Sequence, residues 1–248
     1  MPTHTGNHLK TNRPTPDFPA PRVRAGRWVA GCGALLLAGV SVFCADQGLA
    51  DLVALDASTK QSDLQNRSTR TVGAVDPREV KAVGDALLHA QRADPLNPNT
   101  AEQLGSHYAL NVRGAETDGS VPSNWAKARE HYANAVVLRP TSPYSWANLA
   151  WTKFHLRQVD AEFYGALESA MRLGPWEPEV QFVIVDLGFA VWADLPVEMR
   201  SKVLAIAQNG QVRYATQIAA IAKQRGRLAD VCRFAKLATM PICKKIAG

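Results

Sequence analysis

The chain has 248 residues, 46% of them hydrophobic and 20% charged, with 17 Gly, 15 Pro and 4 Cys. That length can bury one sizeable core, and the composition excludes a wholly disordered chain, collagen-like or low-complexity material, and a disulfide scaffold. The formal net charge of +6 divides into +4 over residues 1–45, −7 over 46–198 and +9 over 199–248, so it is no general signal for polyanion binding.

Residues 1–27 combine five bases (Lys10, Arg13, Arg22, Arg24, Arg27) with a series of prolines, and they read as a disordered basic cytoplasmic tail. Residues 28–45, from Trp28 to Ala45, carry no charge. As a helix they would extend about 27 Å, close to the apolar thickness of a bilayer. With arginines before the run and Asp46, Asp51 and Asp56 after it, the positive-inside rule predicts a single-pass inner-membrane anchor. Everything after it is then expected in the periplasm. A cleaved signal peptide fits less well, because 27 residues precede the apolar run. Residues 46–75 are polar and without sustained period, and they read as a linker.

Helix signals dominate from residue 76 to 248. Asp76-Pro77-Arg78-Glu79 combines an N-cap, a first-turn proline and a capping-box acid. Thr100 to Gln103 is a second capping box, and Ser123 opens a third helix that stops before Pro140. Ser142-Pro143 opens a fourth, Asp160 caps a fifth that ends at Gly174-Pro175, and Glu177-Pro178 opens a sixth. Further helices are expected after Leu195-Pro196, Asn209-Gly210 and Gly226, with no strand anywhere. The predicted class is all-α.

Leu104-Gly105 and Tyr108, then Ala128, Tyr132, Ala135 and Pro140, match the two helices of a tetratricopeptide-like repeat, split by an insertion near 114–124. Trp146, Leu149, Ala150, Leu167, Ala170 and Pro175 match a second unit, and Leu187-Gly188 begins a third. Repeats of this kind bind through the face of their first helices. Here that face would present Glu102 and Ser106, then Tyr144, Asn148, Trp151 and His155, then Phe182, Asp186 and Phe189. Aromatic groups with a few polar ones suit a peptide or a sugar. Two readings of the face stand: an open groove, or a surface covered by the C-terminal helices. A clamp for a carboxylate-ended tail is excluded, since Glu102 stands where it would need a lysine.

No chemistry-bearing motif is present. Of the six His only His4 and His8 stand four apart, in the proline-rich N-terminal stretch rather than on a helical pattern. None has metal spacing with Cys, and there is no G-x-S-x-G, G-K-[ST] or H-E-x-x-H. The chain reads as non-enzymatic, with no cofactor and no metal. Cys232 and Cys243, 11 residues apart across Met240-Pro241, are candidates for a disulfide that pins the tail back. The basic end, from Arg200 to Lys245, is a candidate for an anionic glycan, a phospholipid or an acidic partner; solvated helix faces that balance the acidic half are the preferred reading. Nucleic acid is not an expected partner.

The stretch Leu173-Gly174-Pro175-Trp176-Glu177-Pro178-Glu179-Val180-Gln181, followed by Asp186-Leu187-Gly188 and Trp192, is distinctive. With Trp146 to Ala150 before it and Gly226-Arg227 and Cys232 after it, it resembles the VpsP-like family, membrane-anchored tetratricopeptide-like proteins associated with exopolysaccharide biosynthesis. The resemblance spans roughly residues 80–245. It implies a scaffold for proteins of a polysaccharide synthesis or export system, or alternatively a glycan-binding or chain-handling protein. Physically, the motif is a helix–turn–helix corner in which Trp176 is expected to be clamped.

Overall fold

The computed structural model describes residues 25–70, 76–111 and 121–244. Its helices are α1 (Ala25–Arg70), α2 (Pro77–Ala93), α3 (Pro98–Asn111), α4 (Val121–Leu138), α5 (Pro143–His155) and α6 (Ala161–Leu173). They continue with α7 (Pro178–Ala190), α8 (Val197–Gln224) and three short helices, α9 (Leu228–Cys232), α10 (Ala235–Ala238) and α11 (Pro241–Lys244). Among the described residues there is no strand, as the helix signals predict. Most of the expected tail at 1–27 and of the insertion near 114–124, together with 71–75 of the expected linker, lies outside the described residues.

Among the described residues no helix is long and apolar enough to cross a membrane. This overturns the expected transmembrane helix at 28–45, and with it the single-pass inner-membrane placement and the periplasmic assignment of residues 46–248. The run is not an isolated span. It begins a 46-residue helix that continues through Asp46, Asp51, Asp56, Lys60, Asp63 and Arg67. The run itself is diluted by Gly31, Gly33, Gly39, Ser41 and four alanines. Its described aliphatic side chains, Leu35, Leu36, Leu37, Val40 and Val42, are exposed.

The expected linker at 46–75 is helical as far as Arg70. Two compact units divide the chain, Met1–Asp46 and Gln47–Gly248, so the second unit starts well before residue 76. The reason is a sparse helical period that the polar composition conceals. Ala57, Gln61 and Leu64 fall on one face and are fully buried, while Asp56–Lys60 and Asp63–Arg67 form i, i+4 ion pairs on the outside. Ala57 and Leu64 form a small core with Val83 and Leu87 of α2 and Leu104 of α3.

The larger core runs from α4 to the C-terminal helices and is built from α3–α4, α5–α6 and α7–α8 pairs, an arrangement consistent with helical repeats. α5 also packs on α7, so the first helices of the last two pairs lie side by side. Caps start the helices largely where the sequence places them. Asp76 accepts from the Arg78 N–H, Ser142 from the Ser145 N–H and Asp160 from the Phe163 N–H. For α3 the cap is Asn97, whose Oδ1 takes the Asn99 and Thr100 N–H groups, and not Thr100.

Corners between pairs share a Pro-x-x-Pro form: Pro95/Pro98, Pro140/Pro143 and Pro175/Pro178. The first proline cannot continue the outgoing helix, and the second is preset for the incoming one. In the latter two corners a side chain six residues on closes the turn. Trp146 Nε1 donates to the Pro140 carbonyl at 2.8 Å, and Gln181 Nε2 donates to the Pro175 carbonyl at 2.7 Å. Trp176 is not clamped as expected but 71% exposed, because Gln181 and the buried Gly174 make the corner instead. A Cβ on Gly174 would sit 2.6 Å from Pro143.

α5 and α8 end alike. Gln158 N–H bonds to the Lys153 carbonyl and Arg227 N–H to the Ala222 carbonyl, each across a left-handed residue, Arg157 (φ 60°) and Gly226 (φ 68°). Below the α5 turn the Lys153 ammonium, buried to 2% exposure, donates to Asp160 at 3.0 Å and Glu162 at 2.6 Å. α8 does not break at Asn209-Gly210 as expected; its backbone leaves helical geometry at Tyr214 (φ −125°, ψ 39°) and then resumes.

Small residues set how closely the pairs approach. A Cβ on Gly105 of α3 would meet the Tyr132 ring of α4 at 2.7 Å, and one on Gly188 of α7 would meet Val203 of α8 at 2.5 Å. By contrast, nothing lies within 4 Å of a Cβ on the exposed Gly165 of α6. Gly105→Ala is therefore expected to lose about 2 kcal/mol through overpacking. Gly165→Ala is expected to gain up to about 1 kcal/mol from helix propensity. Urea unfolding of the two variants beside the parent checks both signs.

The buried His107 ring joins α1 to α3. Its Nδ1 is 3.0 Å from Gln61 Oε1 and its Nε2 is 3.1 Å from Asn111 Nδ2. One neutral tautomer, with Nδ1–H donating and Nε2 accepting, satisfies both partners. Burial, opposed by Asp85 and reinforced by His131, pushes the imidazole down to about 4. The unfolded ring binds a proton near pH 6.5, so the folding preference is complete above that value and is lost as pH falls towards 4. The loss expected from this ring is about 3 kcal/mol. Unfolding midpoints from pH 7 to pH 4 should fall more steeply for the parent than for His107→Gln.

Candidate binding groove

The first helices of the pairs, α3, α5 and α7, line a cavity of about 380 Å3. Its floor is Ala109, Leu110, Ala147, Val180 and Val183, and its walls are polar and aromatic: Glu102, Gln103, Ser106, Tyr132, Tyr144, Asn148, Trp151 and Glu179, with Gln65 from α1. Helical spacing explains the set. Glu102, Ser106 and Ala109 recur at i, i+4 and i+7 on α3, and Tyr144, Ala147, Asn148 and Trp151 recur at i, i+3, i+4 and i+7 on α5. The opposite stripes of these helices, with Ala101, Leu104, Leu149 and Ala150, are buried.

Each wall is held. Tyr132, buried against Gly105, reaches the groove with its Oη 3.0 Å from Ser106 Oγ. Burial raises its phenol far above the ordinary value, so it stays neutral. Tyr144 donates to Glu177 Oε2 at 2.6 Å, and that carboxylate pushes the phenol up to about 12. The hydrogen bond ties the α5 rim to the corner before α7. Trp151 packs edge-on to Trp125 of α4 at 4.9 Å between centroids, and His155 stacks flat on Trp125 at 4.3 Å. Partial burial raises the Glu102 carboxyl, opposed by the charge of Arg139 and a hydrogen bond from Ser145.

The seven residues expected on this face separate into two groups. Tyr144, Asn148 and Trp151 line the groove, together with Glu102 and Ser106. His155 lies one turn further along α5, in the Trp125 stack, where burial lowers its imidazole. Phe182, Asp186 and Phe189 of α7 do not line it. Phe182 packs edge-on to Tyr214 at 5.4 Å, and Phe189 is core at 2% exposure. Asp186 is taken by Arg225 through two hydrogen bonds of 2.7 Å. Both readings of the face therefore hold, each over part of it. The first two units leave it open, and the end of α8 covers the third. The kink at Tyr214 turns α8 so that Arg225 also lies over Phe154, 5.6 Å from the ring centroid. Gln103, Glu179 and Val183 are groove residues that repeat matching missed, although the corner prolines carry the signal. Gln103, Asn148 and Val183 stand five residues after Pro98, Pro143 and Pro178 in turn, and Tyr144 and Glu179 stand one after Pro143 and Pro178.

Cys232 and Cys243 form a disulfide, Cα–Cα 5.3 Å, joining α9 to α11. Five of the ten bases from Arg200 to Lys245 are engaged by other groups of the fold, Arg225 by Asp186 among them. Arg200 donates to the Leu195 and Ala193 carbonyls and Lys202 pairs with Glu168. Arg227 and Arg233 flank Asp230. Among the described residues no group of three or more His, Cys, Asp or Glu could hold a metal ion. No protein-family model matches the chain, and no curated protein matches it.

The Asp186–Arg225 pair is three-quarters buried on both sides and bidentate, so it is stronger than a surface pair. Asp186→Asn is expected to cost about 1–2 kcal/mol in urea unfolding. Hydrogen exchange should rise first over residues 215–232 and leave α3–α6 protected.

Proposed function

We propose that this chain is a non-enzymatic scaffold that seats a segment of a partner protein in the groove across α3, α5 and α7. The observation that carries the proposal is the groove itself: an open cavity of about 380 Å3 lined by apolar, aromatic and amide side chains, with Tyr132, Tyr144 and Trp151 held by neighbouring groups. That volume and mixture suit a binding site. The resemblance of Leu173 to Gln181 and its flanking motifs to VpsP-like proteins assigns the scaffold to exopolysaccharide biosynthesis or export. An anionic glycan is a poorer occupant of this groove, because the charged residues among its described lining are Glu102 and Glu179.

Deleting the gene is expected to change the amount or length of secreted polysaccharide. A chromosomal Trp151→Ala/Asn148→Ala variant, with unaltered protein level and helical circular dichroism, is expected to reproduce the deletion. Normal polymer in the deletion strain would remove the polysaccharide assignment. A deletion phenotype with a fully active groove variant would remove the groove from the function.

A further inference from the structure

The groove has a chemical polarity that narrows its occupant. Its described lining carries two carboxylates, Glu102 on α3 and Glu179 on α7, and no lysine or arginine. A partner's acidic side chain would meet like charge there, and a basic one would meet opposite charge in a partly dry cleft. Glu102 is partly buried, which raises its carboxyl against the charge of Arg139 and a hydrogen bond from Ser145. A cation that arrives with the ligand adds to that favourable charge.

The amides point the same way. Gln103 and Asn148 line the groove half-buried, and neither makes a side-chain hydrogen bond among the described residues. A primary amide offers a donor and an acceptor at once, the complement of a peptide unit's carbonyl and N–H. The described lining comes mainly from α3, α5 and α7, of which α5 and α7 pack on each other, so the groove crosses more than one helix and admits a segment of several residues. The floor between the polar walls, from Ala109 and Leu110 to Val180 and Val183, accepts apolar side chains of alternate residues.

We infer that the groove holds an extended cationic peptide segment, its backbone read by the Gln103 and Asn148 amides and one lysine or arginine side chain paired with Glu102 and Glu179. This rests on the groove being the partner site proposed above, and it adds the charge and conformation of the partner.

A test uses the purified full chain and a positional library of acetylated, amidated nonapeptides, each sublibrary fixing one position as Lys, Arg, Ser, Leu or Glu. Fluorescence anisotropy is expected to show a Lys or Arg sublibrary bound about ten-fold more tightly than the Ser one at one position, with Glu weakest. The preference should shrink as salt rises and vanish in Glu102→Gln/Glu179→Gln, an isosteric pair whose unfolding midpoint confirms its fold. Equal binding of Lys, Ser and Glu sublibraries, or a preference that survives in the double variant, overturns the cationic assignment. If that binding still falls in Trp151→Ala, the groove reading stands. Binding of no sublibrary overturns both.

Discussion

The contact between Gly105 and Tyr132 governs much of this molecule. A full side chain at 105 would collide with the phenol ring at 2.7 Å, so only glycine lets α3 lie this close to α4. The same ring is buried, and its hydroxyl reaches Ser106 on the groove wall. One aromatic therefore sets the spacing of a helix pair and forms part of the binding surface. Packing this dense transmits a displacement of either helix straight to the groove. Gly188 against Val203 repeats the arrangement in the α7–α8 pair. The middle pair uses another device, the buried Lys153 ammonium shared by Asp160 and Glu162 across the α5–α6 turn.

That spacing sets the division of the first-helix face. α3 and α5 leave the groove open between them, whereas α7 meets the returning end of α8. The return depends on the departure from helical geometry at Tyr214, on the ring contact with Phe182, and on the Asp186–Arg225 pair. Beyond it, the disulfide between Cys232 and Cys243 and the buried Leu237, whose N–H donates to Gln211, hold the last short helices in place. Part of the basic end is thus paired within the fold. Arg225 neutralises Asp186, Lys202 neutralises Glu168, and Arg200 caps backbone carbonyls. The groove's described lining keeps two carboxylates, Glu102 and Glu179, and no lysine or arginine.

Signals carried by neighbouring residues are legible in the sequence. The caps at Asp76, Ser142 and Asp160, the helix-ending prolines and the repeat positions of Gly105, Tyr132 and Ala150 are local statements about hydrogen bonds and size. Less legible is the second half of α1, where only Ala57, Gln61 and Leu64 mark the inward face among polar neighbours. A mean hydropathy over a window cannot register three residues spaced by four and three. The apolar run at 28–45 misleads for the complementary reason. Its freedom from charge is visible, but the continuation of the same helix into an acidic and basic stretch is not.

The sequence by itself determined the all-helical class, the corners, the spacing of the pairs and the residues that could face a partner. These depend on backbone geometry and on a period of 3.6, both readable within a few positions. Only the tertiary structure decided which of those residues are free to bind. Tyr144, Asn148 and Trp151 stay open, while Phe182, Asp186 and Phe189 of α7 are buried or paired. Asp186 and Arg225 are 39 residues apart, and their meeting depends on the path of α8 after its kink. No local pattern encodes it, because the energy of that contact exists only once both helices have been placed.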